Sequence, residues 1–489
     1  MKKSIKKNYI YNLLYQVLAI IIPIITIPYV SRVLGARNIG IYGYTLSISA
    51  YFILFGSLGV ALYGQREIAY VQNDKKKYSK KFWEIFLLKL LTMTIATIIF
   101  YFAFVKFSNN YNIYFKILLL ELIGTALDIS WFFQGLEEFG KTVSRNLIVK
   151  IASLICIFLF VKTKNDLYIY FIIYALSIIL GNLSLWLYIP KYVNKVSLKS
   201  LNILGHLRPA IMLFIPQAAI QIYTVLDRTM IGVIILDKSE VGFYTQGERI
   251  IKLLLTIVGA MGIVMLPRIA NRFAKNDTKS IKAYLNKSFN LTLLLSFPLI
   301  FGLILVSDSF VPIFFGDGFD KVSIIMKVIS PIILFIGISG IIGYQYFLPT
   351  QHQKEYTISV ILGAVINFII NILLIPRYGA IGAAIGTVAA EFMVAGYQII
   401  KARHFFDYKL IIKDNIKYLI ASIIMFIICY CTNKLFNLVG LKQVIIDICL
   451  GGITYFIILL VTKDKLLFEI LNKIINFGGK NEKSIKGNS

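Results

Sequence analysis

Residues 9–31 read YIYNLLYQVLAIIIPIITIPYVS, a run without a single charged side chain. Lys2, Lys3, Lys6 and Lys7 precede it, and Arg32 and Arg37 follow it. About 20 apolar residues carry a helix across the ~30 Å hydrocarbon layer. The run therefore predicts a membrane-spanning helix with basic residues at both water faces. It exceeds the usual apolar core of a cleaved signal, and no small-residue cleavage site precedes the next apolar run, so it is expected to stay in the mature chain.

Working outward, the same pattern returns along all 489 residues. Apolar runs between charged loops give fourteen spans: 9–31, 39–63, 83–105, 114–134, 144–161, 168–189, 209–235, 244–266, 288–307, 324–349, 357–375, 379–400, 414–431 and 443–461. Composition agrees, with 58% apolar or aromatic residues and only 15% charged, against about 25% charged in a soluble domain. A soluble core of this size could not hide so much apolar surface. The expected class is an all-α integral membrane protein with about 14 transmembrane helices. Cys156, Cys429, Cys431 and Cys449 all lie in apolar runs and are read as packing residues.

The formal net charge is +27. Basicity here does not imply nucleic acid, because cytoplasmic loops of membrane proteins collect Lys and Arg. Loops 1–8, 66–81, 135–145, 190–208, 267–287, 350–357, 401–417 and 462–489 hold 34 basic residues. The alternating loops 32–38, 106–113, 162–167, 236–243, 308–323, 376–379 and 432–442 hold 10. That bias places both termini in the cytoplasm. All loops are short and leave no room for a soluble catalytic domain. Residues 465–477 alternate apolar side chains with lysines, the pattern of a helix lying on the cytoplasmic leaflet or of a frayed basic tail.

Residues 34–66 align without a gap on 236–268. Leu34 meets Leu236, Gly40 meets Gly242, Tyr42 meets Tyr244 and Arg66 meets Arg268. The copies lie six spans apart and so share one orientation, which predicts parallel repeats about an axis along the membrane normal. The expected organisation is an N-terminal six-helix lobe at 1–189 and a cytoplasmic linker at 190–208. A C-terminal six-helix lobe at 209–402, an additional helix pair at 403–462 and a basic tail at 463–489 follow. Pro23, Pro28, Pro216, Pro298 and Pro331 fall inside spans and are expected to kink them. Gly382 and Gly386 form a GxxxG that permits close helix packing.

Charges at membrane depth are the candidate site. Bases are Lys89 and Lys150 in the first half, then Arg228, Arg249 and Lys252 in spans 7 and 8; Lys116 and Lys327 snorkel to the outer face. Acids are Glu121, Asp128, Asp227, Glu248 and Glu391. A central charge costs about 2.5–3.5 kcal/mol on insertion scales, so these residues face a wet cavity or one another. Paired structural charges are the plain reading. The functional reading is a translocation cavity, and the excess of bases in spans 7 and 8 points to an anionic substrate such as a phosphate. His206, His352 and His404 fall in cytoplasmic loops. No Walker loop, HExxH, GxSxG or paired-cysteine motif is present, so no enzyme, metal or cofactor is expected.

Several segments carry a family resemblance in their order and spacing. In the first half they are PYVSRVLG at 28–35, IGIYG at 39–43, Leu58-Gly59, YGQREIA at 63–69, and Asp128 followed by WFFQGLE at 131–137. In the second they are Asp227 with MIG at 230–232, VGFY at 241–244, Pro376 with Gly379, GAA at 382–384, and Glu391. Over roughly residues 10–400 the chain resembles the Wzx-type polysaccharide flippases of the multidrug/oligosaccharidyl-lipid/polysaccharide (MOP) exporter superfamily.

The resemblance implies a MOP/MATE-like transporter fold in the bacterial plasma membrane. It implies translocation of undecaprenyl-diphosphate-linked oligosaccharide units from the cytoplasmic to the outer leaflet for O-antigen or capsule. Membrane lipid and polysaccharide assembly proteins are the implied partners. The family's cavity lies between two six-helix lobes, and its basic residues are proposed to meet the diphosphate; that role passes to Arg228, Arg249 and Lys252 by chemistry and position. Coupling to a proton or sodium gradient would fall to Asp128, Glu121 or Glu391. Drug-exporting relatives often carry an acid in the first helix. Span 1 has none, which argues against the alternative of a cation-coupled drug or metabolite exporter. The short outer loops argue against a membrane-embedded polysaccharide polymerase.

Overall fold

A computed structural model describes the backbone of residues 5–107 and 111–469. Side chains are placed from residue 21 onward, apart from 215–217, 219–220, 260–261 and 263–264. Among the described residues there is no strand. Helix α1 (Ile5–Ser57) joins the first two spans. It is interrupted at Gly35, whose φ of 76° and ψ of 167° break the helical path. Positive φ costs glycine little because no Cβ meets the backbone. Leu58 and Gly59, with φ of 44° and 65°, then turn the chain into α2 (Val60–Tyr70).

Asp74 opens α3 (Lys75–Phe100) by accepting from the amides of Lys76 and Lys77, both at 3.1 Å. A π-turn at Tyr101–Lys106 ends that span. The fourth span is broken into α4 (Asn112–Ala126) and α5 (Ser130–Gly135). Then come α6 (Phe139–Phe160), α7 (Leu167–Trp186) and the short α8 (Ile189–Tyr192). The seventh and eighth spans are α9 (Leu207–Ile234) and α10 (Ser239–Ala274). Next are α11 (Thr278–Phe315), α12 (Asp320–Ile329) and α13 (Ile332–Ser339). The chain closes with α14 (Gln353–Tyr378), α15 (Ala380–Lys401), α16 (Tyr408–Phe436) and α17 (Gly440–Val461).

Each of the fourteen expected spans therefore has its helix. Nine helical stretches are long and apolar enough to cross a membrane among the described residues, with the first two spans counted together. A tenth forms if α12 is taken with α13, across a bend of 40° at Ser330–Pro331. Pro331 thus sits at a break in the tenth span. Of the expected tail helix, 465–469 is helical; the rest of 465–477 lies outside the described residues. The chain is a multi-pass helical membrane protein.

The helices pack as two compact units that divide at Thr245/Gln246, within α10. The first unit is built around an aromatic cluster. Trp131, Phe132 and Phe133 of α5 are fully buried against Phe82 and Phe86 of α3 and Tyr63 of α2. Two of the family-like segments meet there: a Cβ on Gly64 would lie 2.5 Å from the Trp131 ring. In the second unit, Phe289 of α11, Phe406 just before α16 and Tyr418 of α16 share a core. The GxxxG of α15 lies flat on α14, where a Cβ on Gly386 would meet Asn371 Oδ1 at 2.2 Å.

The 190–208 linker is stitched to α3. Asn194 accepts from Trp83 Nε1 at 3.2 Å and donates its amide to Ser79 Oγ at 3.0 Å. The Asn202 amide donates to Glu84 Oε1 at 2.8 Å. His206 lies 3.0 Å from Glu84 Oε2 and 2.6 Å from the Tyr63 hydroxyl through its two ring nitrogens.

Candidate functional site

The first unit encloses a cavity of about 480 Å³. Leu46, Ala50, Ile53 and Ser57 recur at helical spacing and give it one face of α1. Gln221, Val225 and Arg228 do the same on α9. Glu121 of α4 and Tyr174 of α7 complete the polar wall. Arg228 and Glu121 thus place one cation and one acid in a single cavity.

Glu121 is only 5% exposed. Its Oε2 accepts from Ser49 Oγ at 2.9 Å and its Oε1 from the Tyr174 hydroxyl at 2.8 Å. Both donors are neutral hydroxyls, which support a carboxylate and can turn to accept from a carboxylic acid. Nearby, Thr229 Oγ1 bonds to Ser47 Oγ at 2.8 Å and to the Tyr51 hydroxyl at 3.2 Å, tying α9 to α1. Asp227, one residue from Arg228, accepts from the Tyr244 hydroxyl at 2.5 Å.

A second polar group gathers where α4 gives way to α5. Asp128 Oδ1 accepts from the Ser130 amide at 2.9 Å. Lys89 of α3 is almost fully buried, lies 3.8 Å from Asp128 Oδ2 and donates to the Asp128 carbonyl at 3.0 Å. Arg145 of α6 stands 3.8 Å from Asp128 Oδ1 and donates to Asn182 Oδ1 at 2.8 Å. Its Nε and Nη2 both reach Asn146 Oδ1. Lys150 lines the same pocket. Of the predicted residues, the structure thus joins Asp128, Lys89 and Lys150 in one place and Glu121 with Arg228 in another.

In the second unit, Lys252 pairs with Glu248 at 2.6 Å along one face of α10. Arg249 donates to Gln246 Oε1 at 3.1 Å. Glu391 is buried on α15. An apolar cavity of about 410 Å³ lies between α10, α11, α16 and α17.

Residues 5–273, more than half of the chain, match the family described as polysaccharide biosynthesis protein. The chain belongs to that family. Residues 213–373 of this polysaccharide biosynthesis protein also match the family described as MatE. A protein of Escherichia coli (strain K12) named for O-antigen transport is 26% identical over 408 residues, 82% of this chain and 98% of its own. The capsular polysaccharide biosynthesis protein CapF of Staphylococcus aureus is 23% identical over 396 residues, 79% of this chain and 96% of its own. Among solved structures, the lipid II flippase MurJ in an inward closed conformation superposes with a TM-score of 0.71 at 21% identity. That likeness covers 93% of this chain and all of that MurJ chain, and the two share one fold.

The sequence reading of this family member missed the groups that complete each site. Arg145 counted as part of loop 135–145, yet it lies inside α6 with its side chain 14% exposed. Lys238 counted as an outer-loop residue, yet it is buried and donates to the carbonyls of Gly232 at 2.7 Å and Ile235 at 3.0 Å. It closes the C-terminus of α9, where free carbonyls collect negative charge. Tyr174 and Ser49 gave no signal, being neutral residues in apolar runs.

Proposed function

We propose that the protein translocates lipid-linked oligosaccharides, as undecaprenyl-diphosphate-linked repeat units, from the cytoplasmic to the outer leaflet of a bacterial plasma membrane. The observation that carries this reading is the cavity holding Arg228 and Glu121 inside a multi-pass helical member of the polysaccharide biosynthesis family. The names of the E. coli and S. aureus relatives support surface polysaccharide as the end product.

In this reading Arg228 meets a phosphate with its paired N–H donors, and Arg249 and Lys252 are further candidate cations for the head group. Hydroxyl and amide groups along α1 and α9 suit sugars. The protein works by alternating access, with the lipid tail left in the bilayer. Of the three acids proposed for coupling, Glu121 fits best. It faces the cavity among neutral donors, whereas Asp128 is held by Lys89 and Arg145. The repeat-based division into 1–189, 190–208, 209–402, 403–462 and 463–489 stays as the proposed organisation, with both termini cytoplasmic.

The direction of transport depends on that orientation. Single cysteines placed in 236–243 and in 308–323, in a chain lacking its native cysteines, should react with an impermeant thiol reagent added outside intact cells. Protection of both, in folded protein at parental abundance, would reverse the orientation and the leaflet assignment with it.

A further inference from the structure

We propose that the pocket between α11, α13, α15 and α16 binds a lipid whose head group is an uncharged hydroxyl. Its volume is about 290 Å³, at the lower edge of the ~300–1,000 Å³ of typical ligand sites. Tyr408 and Asn415 are the only polar residues in its lining, and no lining residue is charged. Asn415 is 2% exposed. Its Nδ2 donates to the Ile411 carbonyl at 2.7 Å and to Asn290 Oδ1 at 2.9 Å. Those bonds use both donors of the amide and fix its orientation. Its Oδ1 has no hydrogen-bond partner among the described residues.

A buried amide oxygen without a donor forfeits the hydrogen bond it makes to water in the unfolded chain. The pocket therefore asks for a donor, and its walls decide what carries that donor. Water needs about two to four polar partners. The one other polar wall group, the Tyr408 hydroxyl, is already engaged with the Ile399 carbonyl at 3.0 Å. A molecule with an apolar body and a single O–H meets both requirements. A phosphate or ammonium head group does not, because a charge taken into a lining without counter-charges costs far more than a hydrogen-bonded hydroxyl.

The pocket is open to such a molecule from the bilayer. Ile412 and Ile416, which flank Asn415 on α16 and line the pocket, are 62% and 42% exposed. A hydrocarbon chain can thus lie along α16 with its hydroxyl turned in. At 1.5 Å per residue, Asn415 lies about 10 Å from the start of α16 at Tyr408. That is below the charged head groups, at a depth a hydroxyl reaches and a phosphate does not. The hydroxyl belongs either to a prenyl alcohol or to a diacylglycerol. The site stands apart from the cavity of Arg228 and Glu121, and the proposal does not rest on the transport reading.

The test is equilibrium binding to the full chain in phosphatidylcholine nanodiscs, with empty nanodiscs subtracted. Probes, each radiolabelled in turn, are farnesol, dioctanoylglycerol and farnesyl methyl ether, which has the farnesol chain but no O–H. The parent should bind a hydroxyl lipid saturably and prefer farnesol to the ether by about tenfold, as one hydrogen bond to an otherwise unmet group allows. Asn415→Leu should erase that preference while binding the ether as the parent does, which also reports an intact fold. Ile338→Phe, which narrows the pocket, should weaken every probe. Tighter binding of farnesol assigns a prenyl alcohol, and tighter binding of dioctanoylglycerol assigns a diacyl lipid. No saturable binding by the parent, equal binding of farnesol and its ether, or an undiminished preference in Asn415→Leu overturns the proposal. An equal loss of farnesol and ether in Asn415→Leu at the parental thermal midpoint does so too, because the amide then only shapes the wall. Should Asn415→Leu fail to fold, the parental preference and Ile338→Phe decide, and unchanged binding in Ile338→Phe overturns the site.

Discussion

Gly40 and Gly242, which the repeat alignment superposes, lie against one another in the fold. A Cβ on Gly40 would fall 1.6 Å from the Lys238 carbonyl oxygen and 3.0 Å from the Gly242 nitrogen. A Cβ on Gly242 would fall 2.1 Å from the Ala36 carbonyl oxygen and 3.2 Å from the Gly40 nitrogen. Two backbones approach so closely that neither position has room for a side chain, and the obstruction is backbone, which cannot rotate away.

Gly40→Val and Gly242→Val should therefore each cost more than the ~1–3 kcal/mol of ordinary overpacking. Size-exclusion profiles and thermal midpoints of the purified variants check this. A monodisperse peak with the parental midpoint for either variant would show that the helices separate without penalty.

Asp128 and Lys89 supply a second test. Lys89 is buried, so removing its counter-charge leaves an ammonium in the protein interior. Breaking a buried pair from one side costs about 3–5 kcal/mol, whereas replacing both partners is often neutral. Asp128→Asn should lower the thermal midpoint and membrane abundance clearly, and Asp128→Asn with Lys89→Met should recover most of both. A double variant no better than Asp128→Asn would mean that Asp128 acts through something other than this pair.

Fold and site were legible to different depths. The spans could be read because each is a contiguous run whose apolar character is local to the chain. The break at Gly35 fell between Arg32 and Arg37 and could be read the same way. Glu121 could be singled out as a charge in an apolar run, but its partners lie 72 residues earlier at Ser49 and 53 later at Tyr174. No local pattern connects them. Arg145 was lost for another reason: it sits six residues into α6, where loop and helix have the same composition. The clustering of Asp128 with Lys89 was foreseeable from cost alone, since buried opposite charges seek each other.

Stability should also depend on pH through Asp464, just beyond α17. Burial alone would push its carboxyl up. Lys417 at 2.5 Å, the Leu467 amide at 2.7 Å and the Tyr418 hydroxyl at 2.9 Å instead hold it below its ordinary 3.8. A depressed folded value stabilises above the unfolded value, and that stability is lost as pH falls through the folded one. The thermal midpoint of Asp464→Asn should thus lie below the parent at about pH 6, with the gap narrowing below about pH 3.8. A gap that is constant with pH would assign the loss to packing.

The central claim is that the cavity of Arg228 and Glu121 carries a lipid-linked oligosaccharide between leaflets. The direct measurement is reconstitution in liposomes with a fluorescent undecaprenyl-diphosphate oligosaccharide and an impermeant quencher. With the parent protein, the protected half of the fluorescence should become quenchable, with no bond formed or broken in the lipid. Arg228→Gln and Glu121→Gln should each slow that transfer at least tenfold at equal incorporation, about 1.4 kcal/mol or more in the barrier. Transfer no faster than in protein-free liposomes would contradict the function, and parental rates in both variants would contradict the site.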